Sequence, residues 1–345
     1  MLVKEAKSIA RDWVIKEGSQ LPDFHGAFLH GSINWINDDT DFPESSDVDI
    51  MVVMDKSELP VKPGKFIYKN TLLEVSYISR DEVQSPEQVL SKYHLAGSFR
   101  VPGIILDPDG ELTEIQKVVA DNFTKEKWVY KRCEHAKNKI LNKFEVKRVD
   151  SFPDQVNSWL FPAGITTHVL LTAGLKNPTV RKRYVAVRRL LKEYNQMNFY
   201  EELLGLLGCV DTSKEMVKDH LEQLTQVFDK AKKIIKSPFF FASDISDLAR
   251  PISIEGSWDL IEQGFHREAV FWIVATYSRC QKIFIEDGSR EIEKWSEKRY
   301  RDLLSSLGIS SFSDLKDREK QVKDFVPSVW EVAEEIIKKN PDIIN

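Results

Sequence analysis

Asp47 and Asp49 stand two residues apart in Ser46-Asp-Val-Asp-Ile50, at the start of an apolar, β-branched run that continues to Met54. Alternation along a strand would send both side chains to one face, about 7 Å apart along it. Two carboxylates so placed can share hard cations. Magnesium suits such a sparse site, because it prefers oxygen ligands and keeps places for water and substrate phosphates. Glu74 lies among Leu72, Leu73, Val75 and Ile78, where an unpaired carboxylate is costly to bury. An ion beside it removes that cost, so Glu74 is expected as the third ligand. Upstream, Gly31-Ser32 closes a short apolar run. Glycine lets a phosphate approach the backbone there, and the serine hydroxyl and freed amides can donate to it. Taken singly, a Gly-Ser pair is usually a turn and an Asp-Xaa-Asp a solvated strand edge; the ordered set carries the chemistry.

The elements that must hold these residues are legible nearby. Met1 to Gly18 reads as an amphipathic first helix, since charged residues interrupt every apolar run. Gly26–His30, Val48–Met54, Lys65–Lys69, Leu72–Ile78 and Gly103–Asp107 read as five strands, the third and fourth joined in a hairpin at Asn70-Thr71. Asp81–Tyr93 reads as a helix. From Glu111 onward apolar residues recur at helical spacing, and prolines and glycines, Pro162 and Pro327 among them, cut this remainder into eight or nine helices. The fold class is therefore α+β. A catalytic domain over residues 1–110 carries a small mixed sheet flanked by helices, and an all-helical domain over residues 111–345 would supply a cleft wall.

The motifs Leu29-His-Gly-Ser32, Ser46-Asp-Val-Asp-Ile50 and Leu73-Glu-Val-Ser76 together resemble the nucleotidyltransferase superfamily of DNA polymerase beta and the antibiotic nucleotidyltransferases. The pattern looks most like the aminoglycoside nucleotidyltransferases, the kanamycin enzymes in particular, and covers about residues 26–80. By that resemblance Gly31 and Ser32 would bind nucleotide phosphates, and Asp47, Asp49 and Glu74 would hold two Mg²⁺ ions. The implied reaction moves a nucleoside monophosphate, most simply AMP from ATP, to a hydroxyl of a small acceptor, and some relatives work as homodimers. Fourteen residues separate Ser32 from Asp47, long for this linker. The insertion from Asn34 to Ser45 is either a lid or, the favoured reading, a solvated loop.

Charge distribution refines this. The 345 residues carry a net charge of −5, which argues against a nucleic-acid partner. Six acids (Asp38, Asp39, Asp41, Glu44, Asp47, Asp49) and no base fall between Asn34 and Asp49, and could attract a cationic acceptor. Seven bases and no acid fall between Lys176 and Lys192. That stretch reads as a helix starting near Pro178 or Thr179, with Arg181, Tyr184 and Arg188 on one face. Arg181 and Arg188 are candidates for triphosphate contact, against a solvated face as the simpler reading. Glu262, His266 and Glu268 are candidate bases, but a polar helix face is favoured. Trp159, Phe161, Phe239–Phe241, Phe271 and Trp272 are expected in the core rather than around an acceptor pocket.

Three scattered cysteines, Cys133, Cys209 and Cys280, offer no zinc or disulfide spacing and suit the cytoplasm. No secretory signal or transmembrane run is indicated. Two alternatives stay open: nucleotidylation of a protein or an RNA end, and a nucleotide-binding module without catalysis.

Overall fold

A computed structural model of the chain describes residues 1–43, 46–179 and 181–345; Glu44 and Ser45 of the acidic loop and Val180 of the basic stretch lie outside it. The architecture is α+β, with one five-stranded mixed sheet near the N-terminus and a mostly helical remainder. Helix α1 (Val3–Lys16) buries Val3, Ala6, Ala10, Trp13 and Val14, a helical recurrence that gives it one apolar face. Its first turn is closed by Glu5, whose Oε2 accepts from the Leu2 amide at 2.7 Å.

The strands are β1 (Phe24–His30), β2 (Val48–Met54), β3 (Gly64–Tyr68), β4 (Thr71–Ser79) and β5 (Ile104–Leu106). They lie in the order β3-β4-β2-β1-β5, with β2 and β4 parallel and the other neighbours antiparallel. Alternation sorts their side chains to two faces. Ala27, Leu29, Val48, Ile50, Val52, Leu73 and Val75 form one cluster with the buried face of α1. Phe28, Val53 and Ile78 point the other way. They meet α2 (Pro86–Ser91), α3 (Ala96–Phe99), α4 (Glu111–Asn122) and α5 (Glu126–Lys143) through Val89, Phe99, Leu112, Val119 and Trp128. Cover on both faces explains why β2 reads as almost uninterrupted apolar sequence.

Two compact units make up the chain: residues 1–136, 171–181 and 333–345, and residues 137–170 and 182–332. The first holds the whole sheet. The expected seam at 110/111 marks the end of the strands, but α4 packs its apolar face onto the sheet and so belongs to the first unit. The second is built from helices that include α7 (Arg183–Glu193), α8 (Met197–Leu207), α9 (Lys214–Ile234), α10 (Gly256–Glu262), α11 (His266–Asp287) and α12 (Arg290–Ser306). Its core takes in Trp159, Phe228, Phe271, Tyr277 and Tyr300. The Trp159 indole donates to the Leu206 carbonyl at 3.1 Å. Helices α6 (Phe152–Ala173) and α13 (Phe312–Lys339) contribute residues to both units.

Several sequence expectations need correction. The hairpin turn is Lys69-Asn70 rather than Asn70-Thr71, with φ of 44° and 62° and Tyr68 paired with Thr71. Two positive φ angles suit the turn that matches strand twist. Asp81–Tyr93 is not one helix: a 3₁₀ turn covers Arg80–Glu82, and α2 starts only after Ser85, whose hydroxyl caps it. Pro162 and Pro327 lie inside α6 and α13 instead of ending helices. Burial of Trp159, Leu160 and Ala163 around the first carries that helix through the lost backbone hydrogen bond. With those breaks removed and shorter helices added, ten α-helices follow β5 among the described residues. No described helix is long and apolar enough to cross a membrane.

The packing of α4 makes a direct prediction. Leu112, 1% exposed, touches the sheet face that carries the carboxylates, so Leu112→Ala should destabilise the chain by about 2–5 kcal/mol. Urea denaturation measures this; a change well below that range would separate α4 from the sheet's core.

Candidate metal centre

The three carboxylates meet because of strand register. Asp49 pairs with Glu74 across the parallel β2/β4 ladder, and Asp47 precedes Asp49 by one alternation on the same face. All three leave the sheet on the side of Phe28, Val53 and Ile78, beyond the end of that apolar cluster. One carboxylate oxygen from each lies within 4.8 Å of the others, and the residues are partly buried, which leaves them reachable from solvent. Three hard oxygen donors so close together fit a divalent cation such as Mg²⁺.

Gly31 sits at the same end of the sheet, because antiparallel pairing sets His30 against Asp49. There the chain turns into a 3₁₀ segment, Gly31–Trp35. Gly31 takes φ +67°, and a Cβ on it would lie 2.8 Å from Asp49 Cγ and closer still to its Oδ2. Glycine is thus required twice, by backbone conformation and by the carboxylate beside it. The turn is tied down by Asn34, whose Nδ2 donates to the Leu29 carbonyl at 2.7 Å. Arg100 in turn donates to the Asn34 carbonyl at 3.2 Å, with its guanidinium 4.2 Å from the Trp35 ring centroid. Ser32 follows Gly31 on this turn, and its hydroxyl makes no hydrogen bond among the described residues.

Two lysines occupy the centre that sequence reading left to an ion. Lys65 Nζ lies 2.8 Å from Asp47 Oδ2 and also contacts Glu74 Oε2, and Lys62 Nζ lies 2.8 Å from Glu74 Oε1. The Lys65 side chain is 6% exposed. The burial of Glu74 is therefore offset by ammonium groups, and does not by itself require a metal. Their signal was the hairpin register. A loop at Asn70-Thr71 would set Glu74 across from Ile67, whereas the observed turn sets it across from Lys65.

The lysines do not serve the three acids equally. Burial pushes the Glu74 carboxyl upward, but Lys65 and Lys62 outweigh it and hold it at about 2. Asp47 is raised by burial, with Lys65 opposing that and Glu74 adding to it. Asp49 is raised well above the usual range, first by burial and then by repulsion from Asp47 and Glu74. No hydrogen bond or ion pair reaches its carboxylate among the described residues. His30, which burial lowers to about 4, is neutral near pH 7, and its Nδ1 lies 2.8 Å from Ser98 Oγ.

The remaining candidates fall elsewhere. Helix α7 begins at Arg183, so Arg181 lies in the turn before it and does not share a helical face with Tyr184 and Arg188. Arg181 belongs to the first unit and Arg188 to the second, where its guanidinium is 5.6 Å from the Phe265 ring centroid. Asp38 and Asp39 of the insertion pair with Lys7 at 2.6 Å and Lys4 at 2.8 Å. Backbone bonds from Val3 to Thr40 and from Lys4 to Asp38, each 3.0 Å, fasten the segment to the start of α1. It is a strapped loop over those residues. Glu262 pairs with Lys214 and Lys218. The buried Glu268 accepts from Tyr200 Oη at 2.5 Å, so it is a core group rather than part of a polar face. Trp159, Phe241 and Phe271 are core, while Phe240 is exposed.

The chain matches no protein-family model and no curated protein.

Two outcomes follow. Gly31→Ala should cost about 1–3 kcal/mol through the left-handed φ and the crowded Asp49, visible as a lower midpoint in urea; an unchanged midpoint would deny the close approach. The second concerns pH. A carboxyl raised on folding adds stability below its unfolded value of 3.8, and that contribution is lost as pH rises through the folded value. Asp49→Asn should therefore raise the Tm of EDTA-treated protein near neutral pH by about 2 °C or more. The gain should shrink on acidification; a variant less stable than wild type at neutral pH would contradict the assignment.

Proposed function

We propose that this chain is a magnesium-dependent nucleotidyltransferase. It moves a nucleoside monophosphate, AMP from ATP in the simplest case, to a hydroxyl of a small molecule and releases pyrophosphate. An aminoglycoside-like antibiotic is the candidate acceptor. The observation that carries this reading is the pairing of Asp49 with Glu74, which gathers three carboxylates within 4.8 Å beside a glycine turn packed on Asp49.

Asp47, Asp49 and Glu74 would hold the cation, which when bound supplies charge neutralisation for the phosphates and acidifies the acceptor hydroxyl. The Gly31-Ser32 turn would offer its backbone and the Ser32 hydroxyl, unbonded among the described residues, for phosphate binding. Its tether through Asn34 and Arg100 fixes that turn before substrate arrives, which favours in-line geometry. The position of Glu74 directly across the ladder from Asp49 supports a ligand role for it. Three buried free cysteines accord with a reducing, cytoplasmic setting.

A second reading has its own support. Lys62 and Lys65 already pair with Glu74 and Asp47, as they would in a purely structural ion-pair cluster. Asp49, whose carboxylate has no hydrogen bond or ion pair among the described residues and feels Lys65 and Lys62 only at a distance, favours the first reading, because a structural cluster gains nothing from a third, weakly compensated carboxylate.

Pyrophosphate release with each NTP, Mg²⁺ and a panel of hydroxylated acceptors discriminates between them. Wild type should release pyrophosphate only with an acceptor present, and Asp49→Asn should be about 100-fold or more slower. Labelled AMP on a protein or an RNA end would redirect the acceptor. A wild type that neither binds Mg-NTP nor differs from Asp49→Asn would overturn the reading.

A further inference from the structure

The ammonium of Lys65 lies where a cation would lie. It bridges Asp47, which precedes β2, and Glu74 on β4, two carboxylates that a shared ion would also have to bridge. The bridge comes from β3, the neighbour of β4, through the cross-strand pair Lys65–Glu74. Its stem is buried and its head is fixed between the two acids, whereas Lys62 is 28% exposed, precedes β3 and reaches Glu74 alone. Both lysines are on long flexible stems and can withdraw, because four rotatable bonds separate the charge from the backbone.

Charge forces a choice. Three carboxylates are gathered within 4.8 Å with two ammoniums against them. A divalent ion entering the same space would meet like charge at a few ångströms, a strongly unfavourable contact in a partly buried site. Asp47 Oδ2 and Glu74 Oε2, the oxygens that Lys65 holds, are then contested between its ammonium and the ion. Before that exchange, Lys65 keeps Asp47 and Glu74 turned toward one point, so the ligands are already gathered.

We propose that Lys65 is a positioning residue of the metal centre, a built-in counter-ion that holds Asp47 and Glu74 together in the ion-free chain and is displaced when a divalent cation binds. This rests on the metal-centre reading above. It goes beyond it in assigning Lys65 and the ion mutually exclusive occupancy of one place. The consequence is a resident competitor that weakens divalent affinity while stabilising the empty site.

The test uses Mn²⁺ alone as the probe, on the full chain. Calorimetric titration and the Mn²⁺ paramagnetic resonance signal give affinity, and thermal unfolding in EDTA gives the stability of the empty site. Lys65→Met should bind Mn²⁺ about tenfold or more tightly than wild type, yet melt at a lower temperature in EDTA. Lys65→Arg, which keeps the charge, should restore weak binding and ion-free stability. Lys62→Met should shift affinity less. A structural role alone would lower the melting temperature without tightening Mn²⁺ binding, and Lys65→Met affinity at or below wild type overturns the proposal. Should Lys65→Met fail to fold, Lys65→Gln serves in its place under the same criteria. Asp49→Asn separates the two levels. If wild type binds no Mn²⁺, or binds it as well without Asp49, the metal-centre reading itself fails. If binding needs Asp49 but ignores Lys65, only the exchange fails.

Discussion

The parallel pairing of β2 with β4 is the constraint on which the rest of the molecule turns. Its register places Asp49 beside Glu74 and, one alternation earlier, brings in Asp47. A slip of one residue would send Glu74 to the opposite face, among Val48, Ile50 and the apolar face of α1, and would turn Leu73 and Val75 out of that core. The two apolar clusters prevent that slip, because each strand buries a different set of side chains on each side. The geometry of three polar groups is thus enforced by hydrophobic packing at a distance from them.

Gathering negative charge at a strand end carries an electrostatic cost, and the elements around the site are arranged about that charge. The β3–β4 hairpin brings Lys65 and Lys62 over the acids. The turn after β1 brings Gly31 against Asp49, where any side chain would collide with the carboxylate. The acidic segment that follows is drawn off to α1 by Lys4 and Lys7, which keeps Asp38 and Asp39 occupied. The result is a site partly compensated from within, with Asp49 least served. Such incomplete compensation is what an ion-binding centre needs, since a fully neutralised cluster would have no affinity left for a cation.

Much of this was legible in sequence. The five strands emerge from short apolar runs, the acidic pair from period-two spacing, and Glu74 from the oddity of a carboxylate in an apolar run. Lys65 was hidden by one turn. Nothing in Lys69-Asn70 advertises two positive φ angles as an Asn-Gly would, and a loop shifted by one position moves every cross-strand partner by two. The basic stretch misleads for a related reason: Pro178 is a strong start signal, yet the helix begins at Arg183, so local propensity names the right element with the wrong phase. Prolines 162 and 327 mislead in the other direction, because burial on a long helix outweighs a missing backbone bond. The role of a buried acid such as Glu268, bonded to Tyr200 from a distant helix, depends on tertiary contact and leaves no local trace.

The most direct test of the central claim, that Asp47, Asp49 and Glu74 form one cation site, is anomalous diffraction from crystals of the whole protein soaked in Mn²⁺. The account predicts a strong peak at about 2.0–2.3 Å from an oxygen of each carboxylate, with the Lys65 ammonium moved off Glu74. Absence of a peak there at saturating Mn²⁺, with Lys65 still bridging Asp47 and Glu74, would contradict it.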